Sequence, residues 1–227
     1  MTAMDSQQGG KGGPSEARAP PEAEGRPSPR TAKDSIIVVD TETTSRYKEE
    51  AHVVEIAAVV IVGGKVAGCF SSLSDPGQGP LTAPGSREAL AVSGITRAQL
   101  LENAPKERRV RQRWHNFLTL WDPTIRITSY NVAYDYAVLH QGHWSTAGHP
   151  WGRCIMLRAF DTMAKVPGAL QARAGGARLK WPKLSEAAEF CNVRQGQTHR
   201  ALEDAQIAAQ VWLTLRERER EVEPSDR

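Results

Sequence analysis

The chain has 227 residues, 40% of them apolar, a net charge of +3 and three widely spaced cysteines. That length supports one ordinary α/β domain with a real core and is marginal for two. Cysteines odd in number and without a CxxC pair exclude a disulfide framework or a zinc site built on them. The absence of a transmembrane-length apolar run and of an apolar N-terminal stretch predicts a cytoplasmic protein without membrane contact.

The first 34 residues balance five basic against five acidic side chains, and the last twelve carry four basic and five acidic, which leaves +4 on residues 35–215. A mildly basic middle is compatible with a polyanionic substrate but does not by itself imply one.

In chain order, residues 1–34 are rich in Gly, Pro, Ser, Ala and charge, a composition that cannot bury enough apolar surface to offset its ordering entropy. They are expected to be a disordered tail. Ile36 to Val39 reads as a short buried strand ending at Asp40, and His52 to Val62 as a long one. Gly63-Gly64 signals a tight turn and Lys65 to Ser74 the returning strand, so the opening is an antiparallel meander. Residues 75–86 are expected as loop and Ser86–Val92 as a short helix. Val110, Trp114, Phe117, Leu118 and Trp121 lie at helical spacing within Lys106–Trp121. Arg126–Tyr130 reads as a strand, Ala133–His140 as a helix, Cys154–Thr162 as a strand and 167–182 as a Gly- and Arg-rich loop. Leu184–Phe190 and Arg200–Arg216 are predicted helices, and 216–227 reads as a charged tail, a frayed and solvated helix end. A strand meander followed by alternating helices and strands predicts a mixed α/β sheet.

Four carboxylates stand in unusual places. Asp40 ends a buried strand, and Glu42, two residues on, shares its face. Asp135 falls on the first turn of a helix that follows a strand. Asp204 sits on the apolar stripe of Ala201, Ala208, Val211 and Leu215, where a carboxylate is costly unless paired or metal-bound. If the four converge, mutual repulsion raises their pKa values unless cations intervene. Hard oxygen ligands suit Mg²⁺ or Mn²⁺, and two such ions about 3.5–4 Å apart can stabilise both oxygens of a phosphoryl displacement. His199, five residues before Asp204, is placed to deprotonate a water. Taken singly, each residue has an ordinary explanation: a strand-end turn, a helix N-terminal charge, a loop histidine. The set carries the argument.

That set resembles the DEDDh (DnaQ-like) exonuclease family. Asp40-Thr41-Glu42-Thr43-Thr44 is similar to its first motif, Asn131-Val132-Ala133-Tyr134-Asp135 to its second, and His199 to Ala205 to its third; Val54 to Ala57 and Val92 to Thr96 look like its connectors. The DEDDy variant would need tyrosine where this chain has Arg200. Ser45 and Tyr134 stand where Gly and Phe are common, and neither is a metal ligand. The resemblance covers residues 35–215 and implies an RNase H-like fold, a mixed five-stranded sheet flanked by helices with the second strand antiparallel. By position it implies that Asp40 bridges two metals, Glu42 and Asp204 complete the first site, and Asp135 supports the second. His199 becomes the general base, and the backbone around Thr43 and Thr44 holds a 3′-terminal nucleotide. The implied reaction is 3′→5′ cleavage of single-stranded DNA to nucleoside 5′-monophosphates with two Mg²⁺ or Mn²⁺.

Other features weigh less. Arg108, Arg109, Arg111 and Arg113 read as the solvated face of a helix. Arg173, Arg178, Lys180 and Lys183 flank Trp181, a composition suited to gripping single-stranded backbone and stacking a base; we take Arg178, Lys180 and Trp181, with Asn131, as substrate-binding. His140, His143 and His149 lack a fourth zinc ligand at typical spacing and read as surface histidines. Gly175-Gly176 lacks the Lys-Ser/Thr of a phosphate loop. The alternatives are an exoribonuclease trimming RNA, a proofreading subunit of a DNA polymerase, and a non-enzymatic nucleic-acid-binding module, the last opposed by the intact acidic set. A protein partner or a homodimer is left open.

Overall fold

The computed structural model describes residues 34–171, 178–196 and 199–222. The expected N-terminal tail up to residue 33, Arg173, Gly175 and Gly176, and residues 223–227 lie outside the described residues.

Strands β1 (Ile36–Thr43), β2 (Val53–Val62) and β3 (Lys65–Leu73) form the antiparallel meander, and β4 (Arg126–Thr128) adds to β1 in parallel, giving the order β3-β2-β1-β4. Gly63 and Gly64 turn β2 into β3 with φ of 58° and 80°, the left-handed pair that a two-residue hairpin demands. Helices α1 (Gln78–Thr82), α2 (Ser86–Ser93), α3 (Arg97–Asn103) and α4 (Glu107–Leu118) follow β3; α5 (Val132–Gln141), α6 (Ile155–Met163), α7 (Leu184–Phe190) and α8 (Ala201–Val222) follow β4.

Strand periodicity puts a hydrophobic cluster on each face of the sheet, and a third, smaller one gathers Val54, Leu81, Leu90, Ile95 and Leu100. Ile37 and Val39 face a cluster with Phe70, Trp114, Phe117 and Val138 beneath α4 and α5. Ile36, Val38, Val59 and Ile61 face the other cluster, filled by Ile155, Ala205, Ala208 and Leu215 from α6 and α8. The alternate residues of β1 that follow Ile36 and Val38, namely Asp40 and Glu42, therefore rise on the α8 side of the sheet.

Two expectations are corrected. The sheet has four strands among the described residues, not five; where a fifth would pair, Ile127 and Trp151 form a single parallel bridge, closed by Ile127 N–H to Pro150 O at 2.9 Å and Gly152 N–H to Ile127 O at 2.6 Å. The segment read as a strand at Cys154–Thr162 is α6, because Ile155, Ala159 and Met163 are the buried residues and recur at helical spacing. Residues 216–222 form the end of α8. Arg216 and Arg220 pair with Asp34 beside the start of β1, Arg158 meets Glu219 at 2.6 Å, and Arg218 lies 4.5 Å over the Phe190 ring. The stretch expected as loop over 75–86 also contains α1, and α3 is an additional helix whose start is closed by a Thr96–Gln99 capping box. No described helix is long and apolar enough to cross a membrane.

Candidate active site

The acids come from the ends of three elements. Asp40 and Glu42 leave the C-terminal half of β1, Asp135 the first turn of α5, and Asp204 the first turn of α8. One carboxylate oxygen from each of Asp40, Glu42 and Asp204 lies within 4.8 Å of the others. Asp135 reaches the same strand from the opposite side: it is buried, and its Oδ1 accepts a 2.8 Å hydrogen bond from Thr41, the β1 residue that faces α5.

The electrostatics reflect this crowding. Burial, then the charges of Asp135, Glu42 and Asp204, push the Asp40 carboxyl well above its ordinary range. Burial and then Asp204 raise Glu42 to about 7, while the Arg200 guanidinium opposes the shift. Burial raises Asp135 to about 6 against its hydrogen bonds. Burial also raises Asp204, partly offset by the His199 backbone bond. Among the described residues, Asp204 Oδ1 is a buried oxygen that accepts no hydrogen bond. Carboxylates gathered at this spacing, one with an orphaned lone-pair oxygen, fit the donor set of a hard divalent cation.

His199 is exposed, takes a left-handed φ of 70°, and donates its N–H to Asp204 Oδ2 at 3.1 Å. The structure thus brings it to the edge of the acidic cluster. Thr43 Oγ1, the Tyr134 hydroxyl and the Ser45 carbonyl oxygen form a tight triangle with sides of 2.6, 2.8 and 2.5 Å, joining the end of β1 to α5. Thr44 is buried, donating its N–H to His52 O at 2.9 Å and accepting the His52 N–H on Oγ1 at 3.1 Å, so it serves the β1–β2 connection. Asn131 is exposed at the start of α5 with no capping bond from its side chain.

Arg178, Lys180 and Trp181 gather elsewhere, between α6 and α7. Trp181 rests on Phe160 with centroids 4.4 Å apart, and with Arg178 and Leu179 the pair lines a cavity of about 350 Å³. Lys180 is held by Glu186 at 2.9 Å, which neutralises part of the basic character read there. His149 is buried rather than at the surface, its two ring nitrogens 2.8 Å from Ile125 O and 3.0 Å from Leu118 O.

Sequence reasoning gave no role to Glu55 and none to Arg200. Glu55 is buried on β2 opposite Glu42, and its carboxylate takes a forked pair of hydrogen bonds from Arg200. A lone glutamate inside the apolar run Val53–Val62 was the signal that something had to satisfy it.

The exonuclease family known as RNase T matches residues 37–212. This chain belongs to that family. Its exonuclease domain is a phosphodiester hydrolase by membership, with the RNase H-like fold. It is 28% identical over 179 residues to a PolC-type DNA polymerase III of Thermotoga maritima, covering 79% of this chain and 12% of that protein. It is 27% identical over 193 residues to the 3′-5′ exonuclease DinG of Bacillus subtilis, covering 84% of this chain and 18% of that one. The chain therefore spans less than a fifth of the length of these curated relatives. Among solved structures, E. coli exonuclease I in complex with a dA16 oligonucleotide superposes with a TM-score of 0.66 at 18% identity, covering 83% of this chain and 42% of that one. Exonuclease I of Methylocaldum szegediense gives 0.65 at 20% identity, covering 82% and 41%. At these identities the likeness speaks to the fold.

Proposed function

We propose that the domain is a 3′→5′ exonuclease that removes nucleotides from the 3′ end of single-stranded DNA and releases nucleoside 5′-monophosphates. The observation that carries this reading is the convergence of Asp40, Glu42 and Asp204, with Asp135 behind them, at the end of β1 in a member of an exonuclease family. Asp40, Glu42 and Asp204 would hold one Mg²⁺ or Mn²⁺, and Asp40 with Asp135 a second. When bound, these ions supply a Lewis acid for a water nucleophile and neutralise charge on the phosphoryl oxygens.

The chain's own residues do the rest. His199, exposed beside Asp204, takes a proton from the attacking water. As the water oxygen bonds to phosphorus, the bond to the 3′ oxygen of the preceding nucleotide breaks, and that oxygen takes its proton from solvent. Thr43, braced by Tyr134, and the neighbouring Thr44 backbone hold the loop against which the terminal nucleotide sits. A cavity of about 590 Å³ begins there, lined by Ser45, Arg46, Tyr47 and Val92. Tyr47 is 54% exposed, and the Arg46 guanidinium lies 4.8 Å from its ring centre, a platform on which a base can stack. Asn131, Arg178, Lys180 and Trp181 would contact the strand further along.

The dA16 ligand of the E. coli neighbour favours single-stranded DNA as substrate. The likeness to PolC-type polymerases favours, as a second reading, proofreading beside a polymerase. A cytoplasmic setting accords with the three unpaired cysteines.

The test is degradation of 5′-labelled single-stranded DNA and matched RNA with Mg²⁺, Mn²⁺ or EDTA, beside Asp40→Ala. The expected result is a ladder shortening from the 3′ end of DNA, absent with EDTA and in the variant. Faster loss of RNA would reassign the substrate. No cleavage by folded protein would overturn the free-standing nuclease.

A further inference from the structure

Glu55 stands opposite Glu42 across the β1–β2 ladder. Two like charges directly facing each other on a sheet repel, so a purely structural strand would carry no acid there. The Glu55 carboxylate is instead fully engaged. It accepts from Arg200 Nη2 on Oε1 at 2.7 Å and from Arg200 Nε on Oε2 at 3.0 Å, and the Ala201 N–H donates to Oε2 at 3.1 Å. Its side chain is 4% exposed. The forked geometry fixes both the distance and the plane of the guanidinium. The Ala201 bond satisfies one of the unpaired N–H groups at the start of α8 from a strand 146 residues away in sequence.

The residue next to this anchor is His199. Its left-handed backbone, costly for a residue with a Cβ, persists only where neighbours over-determine it. On one side its N–H is bonded to Asp204 Oδ2; on the other, Arg200 is clamped to β2.

We infer that Glu55 and Arg200 are positioning residues that lock the turn before α8 and thereby hold the His199 imidazole at the metal-binding carboxylates. The inference rests on the nuclease reading above and adds to it the pair that places its base.

The full-length chain with ¹³C-labelled histidine is titrated with Mn²⁺ as wild type, Glu55→Gln and Arg200→Lys. Thermal melts show which proteins are folded, and the lysine variant keeps the charge while losing the fork. His199→Ala identifies the His199 signal among the six histidines. At equal bound Mn²⁺, the His199 signal should broaden strongly in wild type and severalfold less in both variants. Equal broadening in all three overturns the positioning role and leaves the metal site standing. No broadening in wild type overturns both. In the degradation assay the variants should lose on the order of tenfold to a hundredfold in kcat with KM little changed. That loss should vanish in a His199→Ala background. A loss that persists there in full assigns the pair to general stability and overturns the inference.

Discussion

Glu42 shows what the acidic cluster does to the protein without its cations. Its carboxyl titrates near 7 in the folded chain against an ordinary 4.5. A carboxyl raised in the folded state binds protons that the unfolded chain has released. Its stabilising contribution is therefore present below pH 4.5 and lost as pH rises through about 7. Metal-free protein should be less stable at pH 8 than at pH 5.5, with a Glu42 share on the order of 2 kcal/mol after discounting for solvent access. Glu42→Gln should flatten that profile, and Mg²⁺ should restore wild-type stability at pH 8; urea titrations at the two pH values check both. The same protons must leave when a cation binds. Mg²⁺ binding at pH 6.5 should thus release protons, and affinity should fall as pH drops toward the value of about 6 at Asp135. Calorimetry in two buffers of different ionisation enthalpy measures the number released, and zero would show that the carboxylates are already ionised before the cation binds, overturning the raised values.

At the scale of elements, α8 does two jobs. Ala201, Ala205 and Ala208 are buried where it crosses the sheet, and their small side chains let Asp204 approach β1. Ala205→Leu should destabilise by about 1–3 kcal/mol through overpacking and weaken Mn²⁺ binding, because the first turn must lift; denaturant and metal titrations read the two effects. By contrast, Glu219→Ala at the far end removes the contact with Arg158. It should cost no more than about 1 kcal/mol and leave metal binding unchanged. On the edge strand β3, a Cβ at Gly68 would come within 2.6 Å of the Trp121 indole, a ring packed against Phe117. Gly68→Ala should lower the melting temperature by several degrees, the rough equivalent of 1–2 kcal/mol in a domain this size.

For the whole molecule, the family match and all three hydrophobic clusters lie within residues 36–215. A chain beginning at Asp34 should keep its melting temperature within about 2 °C and its Mn²⁺ affinity; a larger drop would assign residues 1–33 a structural role. Much of this organisation was legible along the chain. Two-residue periodicity placed Asp40 and Glu42 on one face, the Gly63-Gly64 pair marked the hairpin, and the apolar stripe of the last helix singled out Asp204. These signals are local, since they depend on backbone geometry over a few residues. Three features were settled by the tertiary structure. Cys154–Thr162 became a helix because its apolar residues meet α8 at a spacing of four. The helix end over 216–222 is anchored because its arginines reach Asp34 and Phe190. Glu55 acquired a purpose because folding delivers Arg200 to it. A short apolar run, a charge run and a lone buried acid each have several local solutions, and only partners distant in sequence select among them.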